Sequence, residues 1–86
     1  MHVEHSLTMI AKCPVNGATD FYDVTFILDK FINVEALMVE MLQYHKQPIY
    51  QEDLTQKLAD FAKCEVITHG IHSGIRTMVR CAPAPE

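Results

Sequence analysis

Residues 33–62 read NVEALMVEMLQYHKQPIYQEDLTQKLADFA, and this stretch decides the fold. Its first part carries apolar residues at the spacing of one helix face, namely Val34, Leu37, Met38, Met41 and Leu42. Asn33 stands where a side-chain oxygen can accept hydrogen bonds from the first free backbone N–H groups of a helix. Pro48 cannot continue a helix. The pattern predicts an amphipathic helix that Asn33 caps and Pro48 ends.

The second part of the stretch predicts another helix. Glu52 and Asp53 favour a helix start, because carboxylates are stabilised at the positive end of the helix dipole. The helix would begin near Gln51 and stop near Cys64. The side chains that we expect to face inward are Leu54, Leu58, Phe61 and Ala62. The centre of the chain is therefore two consecutive helices.

Alternating sequence before the helices predicts a hairpin. Apolar and polar residues alternate over residues 6–12 and again over residues 22–28, which is the period of a half-buried strand. Residues 14–20 lie between these runs and contain Pro14 and the pair Asn16-Gly17, so the chain turns there. The two strands would be joined by this unusually long connection.

A second hairpin is predicted after the helices. Residues 65–71 and 75–81 are rich in Val, Ile and Thr, and residues 72–74 separate them. The order is β-β-α-α-β-β, an α+β fold with an antiparallel four-stranded sheet and both helices on one face. Residues 1–81 would form one domain, and the Pro-containing residues 82–86 a flexible C-terminal tail.

Size and composition favour a homo-oligomer. The chain has 86 residues and is 49% apolar, whereas a domain of this size buries only about 60% of the surface of its unfolded chain. Apolar side chains therefore remain for other subunits to cover. Both edges of the predicted sheet are open, and pairing these edges between copies would close an oligomeric barrel.

Charge and cysteine content exclude several classes of function. The net charge is -4 with no cluster of Lys or Arg, which argues against a polynucleotide-binding surface. No apolar run is long enough to span a membrane, and the N-terminus lacks the features of a signal peptide, so we expect a cytoplasmic protein. Cys13, Cys64 and Cys81 are scattered and odd in number, which fits free thiols.

Four side chains are candidates for chemistry or substrate binding. Cys13 ends a strand beside the first turn, and Asp20 closes that turn, so a thiol nucleophile and a proton-transferring carboxyl would lie close together. The alternative is a buried cysteine and a turn-capping aspartate. Glu52 can accept two hydrogen bonds from the N–H and amino groups of a guanine-like ring, or it can simply favour the helix start. Glu35 has the same two interpretations in the first helix.

Two histidines of the second hairpin do not form an obvious metal site. His69 and His72 are three residues apart, and residues at that spacing on a strand point to opposite faces of the sheet. We therefore predict no metal site from them, and the pair stays open to other roles.

Two segments resemble enzyme families. Residues 13–20, Cys-Pro-Val-Asn-Gly-Ala-Thr-Asp, resemble the Cys-Pro-x-Thr-Gly-x-x-Asp motif of 7-cyano-7-deazaguanine reductases. Residues 51–59, Gln-Glu-Asp-Leu-Thr-Gln-Lys-Leu-Ala, are similar to the Gln-Glu-Arg-Leu-Thr-x-Gln-Ile-Ala motif of GTP cyclohydrolase I. Both families belong to the tunnelling-fold superfamily, which is built from β-β-α-α-β-β units. The resemblance therefore implies the element order that the periodicity also predicts.

The resemblance implies roles for particular residues. Cys13 would form a covalent thioimide with the nitrile of a 7-cyano-7-deazaguanine-type substrate, and Asp20 would act as general acid. His72 would correspond to a catalytic histidine in the last hairpin of the cyclohydrolases. The substrate-binding positions implied are Glu52, which would hold the ring, with Gln51 and Glu35. The resemblance also implies that the sites lie at interfaces between subunits and that the protein acts in queuosine or archaeosine biosynthesis.

Departures from both families leave the reaction open. Asn16 replaces one zinc ligand of the cyclohydrolases and Gly74 stands near another, so a zinc-dependent cyclohydrolase is disfavoured and no metal is expected. The reductases bind NADPH with a Lys-rich first helix, whereas residues 34–41 contain no lysine. NADPH stays an open alternative as cofactor, although its binding motif is not seen. The short chain looks like compact relatives that add ammonia to the nitrile. The alternatives are a zinc-less, pterin-directed enzyme and a non-catalytic subunit that binds a purine or pterin.

Overall fold

The computed structural model describes residues 1–85 and confirms the predicted order of elements. These elements are β1 (Val3–Lys12), β2 (Thr19–Leu28), α1 (Val34–Leu42), α2 (Gln51–Ala62), β3 (Glu65–His72) and β4 (Ile75–Cys81). The four strands form one antiparallel sheet in the order β1-β2-β3-β4. The described chain is thus an α+β fold in which two hairpins flank two helices.

The register of the sheet places one row of residues across all four strands. Tyr22 on β2 pairs with Met9 on β1 and with Gly70 on β3, and Gly70 pairs with Thr77 on β4. Because alternate residues of a strand share a face, this row lies on the face that the helices cover. The same face carries the buried side chains of β2, so the core lies between sheet and helices.

Both helices contribute buried side chains to the core. The core includes Leu37 and Met41 of α1, one helical turn apart, together with Leu54, Leu58 and Ala59 of α2. Asn33 caps α1 as predicted, and its Oδ1 accepts hydrogen bonds from the backbone N–H groups of Glu35 at 2.9 Å and Ala36 at 3.4 Å. The capping residue and the spacing of the buried residues therefore explain where α1 starts and how it packs.

Several predicted details of the helices are wrong. The first helix ends at Leu42, well before Pro48, and the chain continues through turns. Within α1, the side chains Val34, Met38 and Leu42 are exposed, and only Leu37 and Met41 are buried. Phe61 is also exposed: buried Gln51 and Thr55 shift the buried face of α2 away from it.

The segment before α2 bonds to the outer edge of β1, so this part of the sheet edge is not open, contrary to the prediction. The backbone N–H of Lys46 donates to the carbonyl of Ile10 at 2.9 Å, and the N–H of Lys12 donates to the carbonyl of Gln47 at 3.0 Å. The N–H of Ile49 donates back to the carbonyl of Lys12 at 3.2 Å. These bonds fix the start of α2 beside the end of β1, which brings two distant parts of the sequence together.

The start of the C-terminal tail is attached to α2. The side-chain amide of Gln56 donates to the carbonyl of Ala82 at 2.9 Å, and the N–H of Ala84 donates to Oδ1 of Asp60 at 2.8 Å. The mobility of residues 82–85 stays a prediction, and residue 86 lies outside the described residues. Among residues 1–85, neither helix has the length and apolar character to cross a membrane.

Candidate functional site

The loop between β1 and β2 holds Cys13 in a fixed position. Its backbone N–H donates to the carbonyl of Ala18 at 2.8 Å, and its carbonyl accepts from the N–H of Gly17 at 2.8 Å. Oδ1 of Asn16 accepts from the N–H of Ala18 at 2.9 Å. Gly17 has a φ of 73°, a left-handed conformation that costs glycine little. The loop is therefore closed by its own hydrogen bonds and presents the thiol from a rigid base.

A pocket of about 280 Å³ collects most of the predicted site residues. Five of the six line it, namely Cys13, Asp20, Gln51, Glu52 and His72. They come from the end of β1, the start of β2, the first turn of α2 and the end of β3. Glu35 is not among the lining residues; it lies exposed in the first turn of α1. The fold thus joins the two sequence segments into one site.

Asp20 is the buried acid of this pocket. Only 7% of the residue is exposed, and its Oδ2 accepts a hydrogen bond from the phenol of Tyr22 at 3.3 Å. Its Oδ1 lies 3.8 Å from Nδ1 of His72, which makes an ion pair when the imidazole is protonated. Each carboxylate oxygen therefore faces a different side chain, the phenol on one side and the imidazole on the other.

Gln51 fixes the protonation site of the His72 ring. The Nε2 of Gln51 donates to Oγ1 of Thr68 at 3.1 Å and to the carbonyl of Thr77 at 3.0 Å. Its Oε1 is therefore the acceptor in the 2.7 Å contact with Nε2 of His72, so that ring nitrogen carries the proton. In the neutral ring this leaves Nδ1, on the Asp20 side, as the nitrogen that can take up a proton.

Tyr22 stays protonated in this environment. Burial raises the pKa of its phenol well above the usual value, and the charge of Asp20 and the hydrogen bond to Asp20 raise it further. The charges of Cys13 and Glu52 have smaller effects in the same direction. The phenol is consequently a neutral hydrogen-bond donor at all ordinary pH values.

The three cysteines differ in their surroundings. Cys13 lies at the pocket, whereas Cys64 is buried and Cys81 lies half-buried at the end of β4. Burial raises the pKa of Cys64 and of Cys81. At Cys64 a hydrogen bond with the backbone of Ile27 lowers the pKa in part and the charge of Glu65 raises it. At Cys81 the charge of Asp60 raises the pKa further. At neutral pH a smaller fraction of these two thiols is ionised than of an unperturbed cysteine, and the thiolate is the nucleophile. Cys64 and Cys81 therefore serve as control cysteines in tests of Cys13.

The described residues include neither a cluster of metal-ligating side chains nor basic side chains on α1. Within residues 1–85, no group of three or more His, Cys, Asp or Glu side chains is arranged to hold a metal ion. The exposed side chains of α1 include Val34, Met38, Val39 and Leu42. This apolar surface offers no positive charge for a dinucleotide phosphate.

Sequence patterns missed Tyr22 as a site residue. In the sequence it looks like one of several buried aromatic residues of β2, and only the fold shows that its hydroxyl reaches Asp20. Gly70 is the signal that was available: a glycine inside a strand often marks a close approach of another group. A Cβ at Gly70 would lie 2.5 Å from Cε1 of Tyr22.

Comparison with known proteins supports the fold. No protein-family model and no curated protein sequence matches this chain. The described residues have the β-β-α-α-β-β order that the sequence resemblance implied. The chain is similar to the crystal structure of the archaeosine synthase QueF-Like in the apo form, with a TM-score of 0.85 and 16% sequence identity, over 99% of this chain and 96% of that one. At this identity the similarity establishes the fold.

Proposed function

We propose that this protein is a tunnelling-fold enzyme that binds a 7-cyano-7-deazaguanine-type substrate and attacks its nitrile with Cys13. The observation that carries the proposal is the single pocket that holds a thiol, a buried carboxyl, an imidazole and the Glu52 carboxylate. The fold shared with an archaeosine synthase supports a role in the chemistry of 7-deazaguanine nucleosides.

Each group has a part in the proposed chemistry. The thiolate of Cys13 adds to the nitrile carbon, so a C–S bond forms and one π bond of the nitrile breaks. The released electron pair goes to the nitrogen, which takes a proton from the protonated form of Asp20 and gives a neutral thioimide, leaving Asp20 as the carboxylate. His72 faces the other oxygen of Asp20 through Nδ1 and would return a proton to it only from the protonated imidazolium form.

The fate of the thioimide depends on the second reactant. An ammonia-like amine that adds to the thioimide carbon and expels the thiolate would give an amidine. Reduction would instead need a hydride donor, and α1 lacks the basic residues that would bind its phosphates. The lack of basic residues on α1 therefore favours the amidine-forming reaction over reduction.

Glu52 would bind the ring of the substrate. A second copy of the chain would complete the site. Its carboxylate lines the pocket at the start of α2 and can accept two hydrogen bonds from a guanine-like edge. Val15 and Tyr50 also line the pocket and are 77% and 48% exposed. Covering such apolar side chains favours a neighbouring subunit. The site would therefore lie at a homo-oligomer interface.

Mass spectrometry tests the proposed nucleophile. Incubation with 7-cyano-7-deazaguanine should add the mass of the ligand to the wild type and to Cys81→Ala, the matched control. Cys13→Ala should gain no mass, because the attacking sulfur is gone. An adduct on Cys13→Ala, or none on the wild type, would contradict the proposal.

Binding measurements on the same two proteins distinguish the alternative functions from nitrile chemistry. Glu52 and His72 line the pocket independently of the thiol, which would suit a pterin-directed enzyme or a subunit that only binds a purine or pterin. In either case the wild type and Cys13→Ala would bind guanine or a dihydropterin equally well, and neither would form an adduct. Turnover of the dihydropterin would then distinguish an enzyme from a binding subunit.

A further inference from the structure

Tyr22 connects the core to the acid of the pocket. The residue is 1% exposed and lines the pocket. Its phenol oxygen lies 3.3 Å from Oδ2 of Asp20, and its ring centroid lies 5.9 Å from that of His72. One rigid side chain therefore contacts the carboxylate and lies beside the imidazole that faces it.

The backbone of β3 is shaped to receive the Tyr22 ring. Gly70 is the cross-strand partner of Tyr22, and a Cβ at that position would lie 2.5 Å and 2.6 Å from two ring carbons. Real Cβ atoms do not approach other atoms so closely, so a glycine is needed where the ring rests on the neighbouring strand. This contact limits the movement of the ring and therefore of its hydroxyl.

We propose that Tyr22 is a positioning residue, whose phenol holds the carboxylate of Asp20 in the pocket with its second oxygen facing His72. The phenylalanine side chain would fill nearly the same volume in the core, so packing alone does not require the hydroxyl. A buried hydroxyl needs a hydrogen-bond partner, and here the partner is Asp20. The raised pKa of the phenol keeps it a donor and prevents a further negative charge beside the carboxylate.

The test compares two tyrosines that each donate to a carboxylate. Tyr22→Phe removes the hydrogen bond to Asp20. Tyr44→Phe removes a matched bond, from Tyr44 to Oε1 of Glu40 at 3.2 Å, that lies outside the pocket lining. Two quantities are measured for each protein: the dissociation constant for 7-deazaguanine, which has no nitrile, and the rate constant for adduct formation with 7-cyano-7-deazaguanine. The second quantity rests on the proposed function.

The expected result is a split between rate and affinity. Tyr22→Phe should form the adduct roughly tenfold to a hundredfold more slowly, because a misplaced proton donor costs rate. Its affinity for 7-deazaguanine should stay within about twofold of the wild type, since the ring is held by other groups. Tyr44→Phe should change neither quantity. An adduct rate for Tyr22→Phe within about twofold of the wild type, or equal losses of rate and affinity, would overturn the inference.

A structural measurement keeps the inference separate from the proposed reaction. If the wild type forms no adduct, the proposed function fails, and crystal structures of the wild type and Tyr22→Phe then decide the role of Tyr22. Displacement of the Asp20 carboxylate from Nδ1 of His72 by about 1 Å or more in the variant would support positioning. A carboxylate that keeps its place without the phenol would overturn it.

Discussion

The Oε1 atom of Gln51 lies 2.7 Å from Nε2 of His72, so the first residue of α2 is hydrogen-bonded to the last residue of β3. The other end of the same amide donates to Thr68 and to the carbonyl of Thr77. One buried side chain therefore ties the helix to β3 and β4. These contacts occupy both ends of the amide, while the predicted contact of Gln51 with substrate stays a prediction.

Removal of this amide should destabilise the protein. In Gln51→Ala, Thr68, Thr77 and His72 lose a buried partner, and we expect a loss of about 1–3 kcal/mol in the free energy of unfolding. Gln56→Ala is the matched control, because the Gln56 amide bonds at the surface of the same helix; its change should stay within about 0.5 kcal/mol. Urea denaturation measures both. Equal changes would show that the buried network contributes little.

Glu52 should provide much of the ring affinity. Glu52→Gln replaces a charged acceptor by a neutral amide, so binding of guanine should weaken by about 1.5–3 kcal/mol. Asp53→Asn controls for the helix dipole: Asp53 lies in the same first turn but does not line the pocket. Isothermal titration calorimetry gives both affinities. If both variants lose the same affinity, Glu52 acts through the helix dipole alone.

Asp20 should affect the covalent step more than binding. Asp20→Asn keeps the shape of the side chain but cannot deliver its proton, so adduct formation should slow by about a hundredfold or more. Affinity for 7-deazaguanine should be spared. Asp23→Asn is the control, since Asp23 lies on the open face of the same strand, where Thr8 donates to it. A rate for Asp20→Asn within about twofold of the wild type would remove Asp20 from the mechanism.

Periodicity was sufficient to predict the elements of this fold. Strand and helix positions follow from repeats of two and of three to four residues, which arise from local geometry and need no knowledge of distant contacts. The N-cap at Asn33 is equally local, because the side chain bonds to the next few backbone groups. Features that depend only on residues close together in the sequence were therefore predictable.

Features that depend on contacts between distant segments were harder to predict. Gln51 and Thr55 are polar, yet they face the core because Thr68 of β3 supplies hydrogen-bond partners there. That pairing is invisible in the local pattern, and it explains why Phe61 was wrongly assigned to the interior. The hydroxyl contact of Tyr22 with Asp20 was missed for a related reason: a buried tyrosine fits a hydrophobic pattern as well as phenylalanine does.

Gly70 should be intolerant of even a methyl group. In Gly70→Ala the new Cβ would meet the ring of Tyr22 at 2.5 Å, so either the ring or the strand must move. Overpacking of this kind costs about 1–3 kcal/mol, and we expect that loss in urea denaturation. The cost should largely disappear in a Tyr22→Leu background, where the ring is absent. If Gly70→Ala lowers the free energy of unfolding by the same amount in the Tyr22→Leu background, the strain lies in β3 itself.

Acid should release the start of the C-terminal tail from α2. The pKa of the exposed Asp60 lies below its ordinary value of 3.8, first because the N–H of Ala84 donates to its carboxylate and then because the amide of Gln56 does. A carboxyl whose pKa is lowered by a contact stabilises that contact above the ordinary value, and the stabilisation is lost as the pH falls through the lowered one. The attachment should thus be complete at neutral pH and lost only below 3.8.

The amide proton of Ala84 reports this release in NMR spectra recorded across the acid range. Its chemical shift should titrate with a midpoint below 3.8 in the wild type. In Asp60→Ala the shift should no longer titrate and should resemble that of the released state at every pH. Asp53→Ala, which removes a carboxylate elsewhere on α2, should leave the titration unchanged. A titration that persists in Asp60→Ala would mean that another group holds Ala84, and the tail would then be attached independently of this carboxylate.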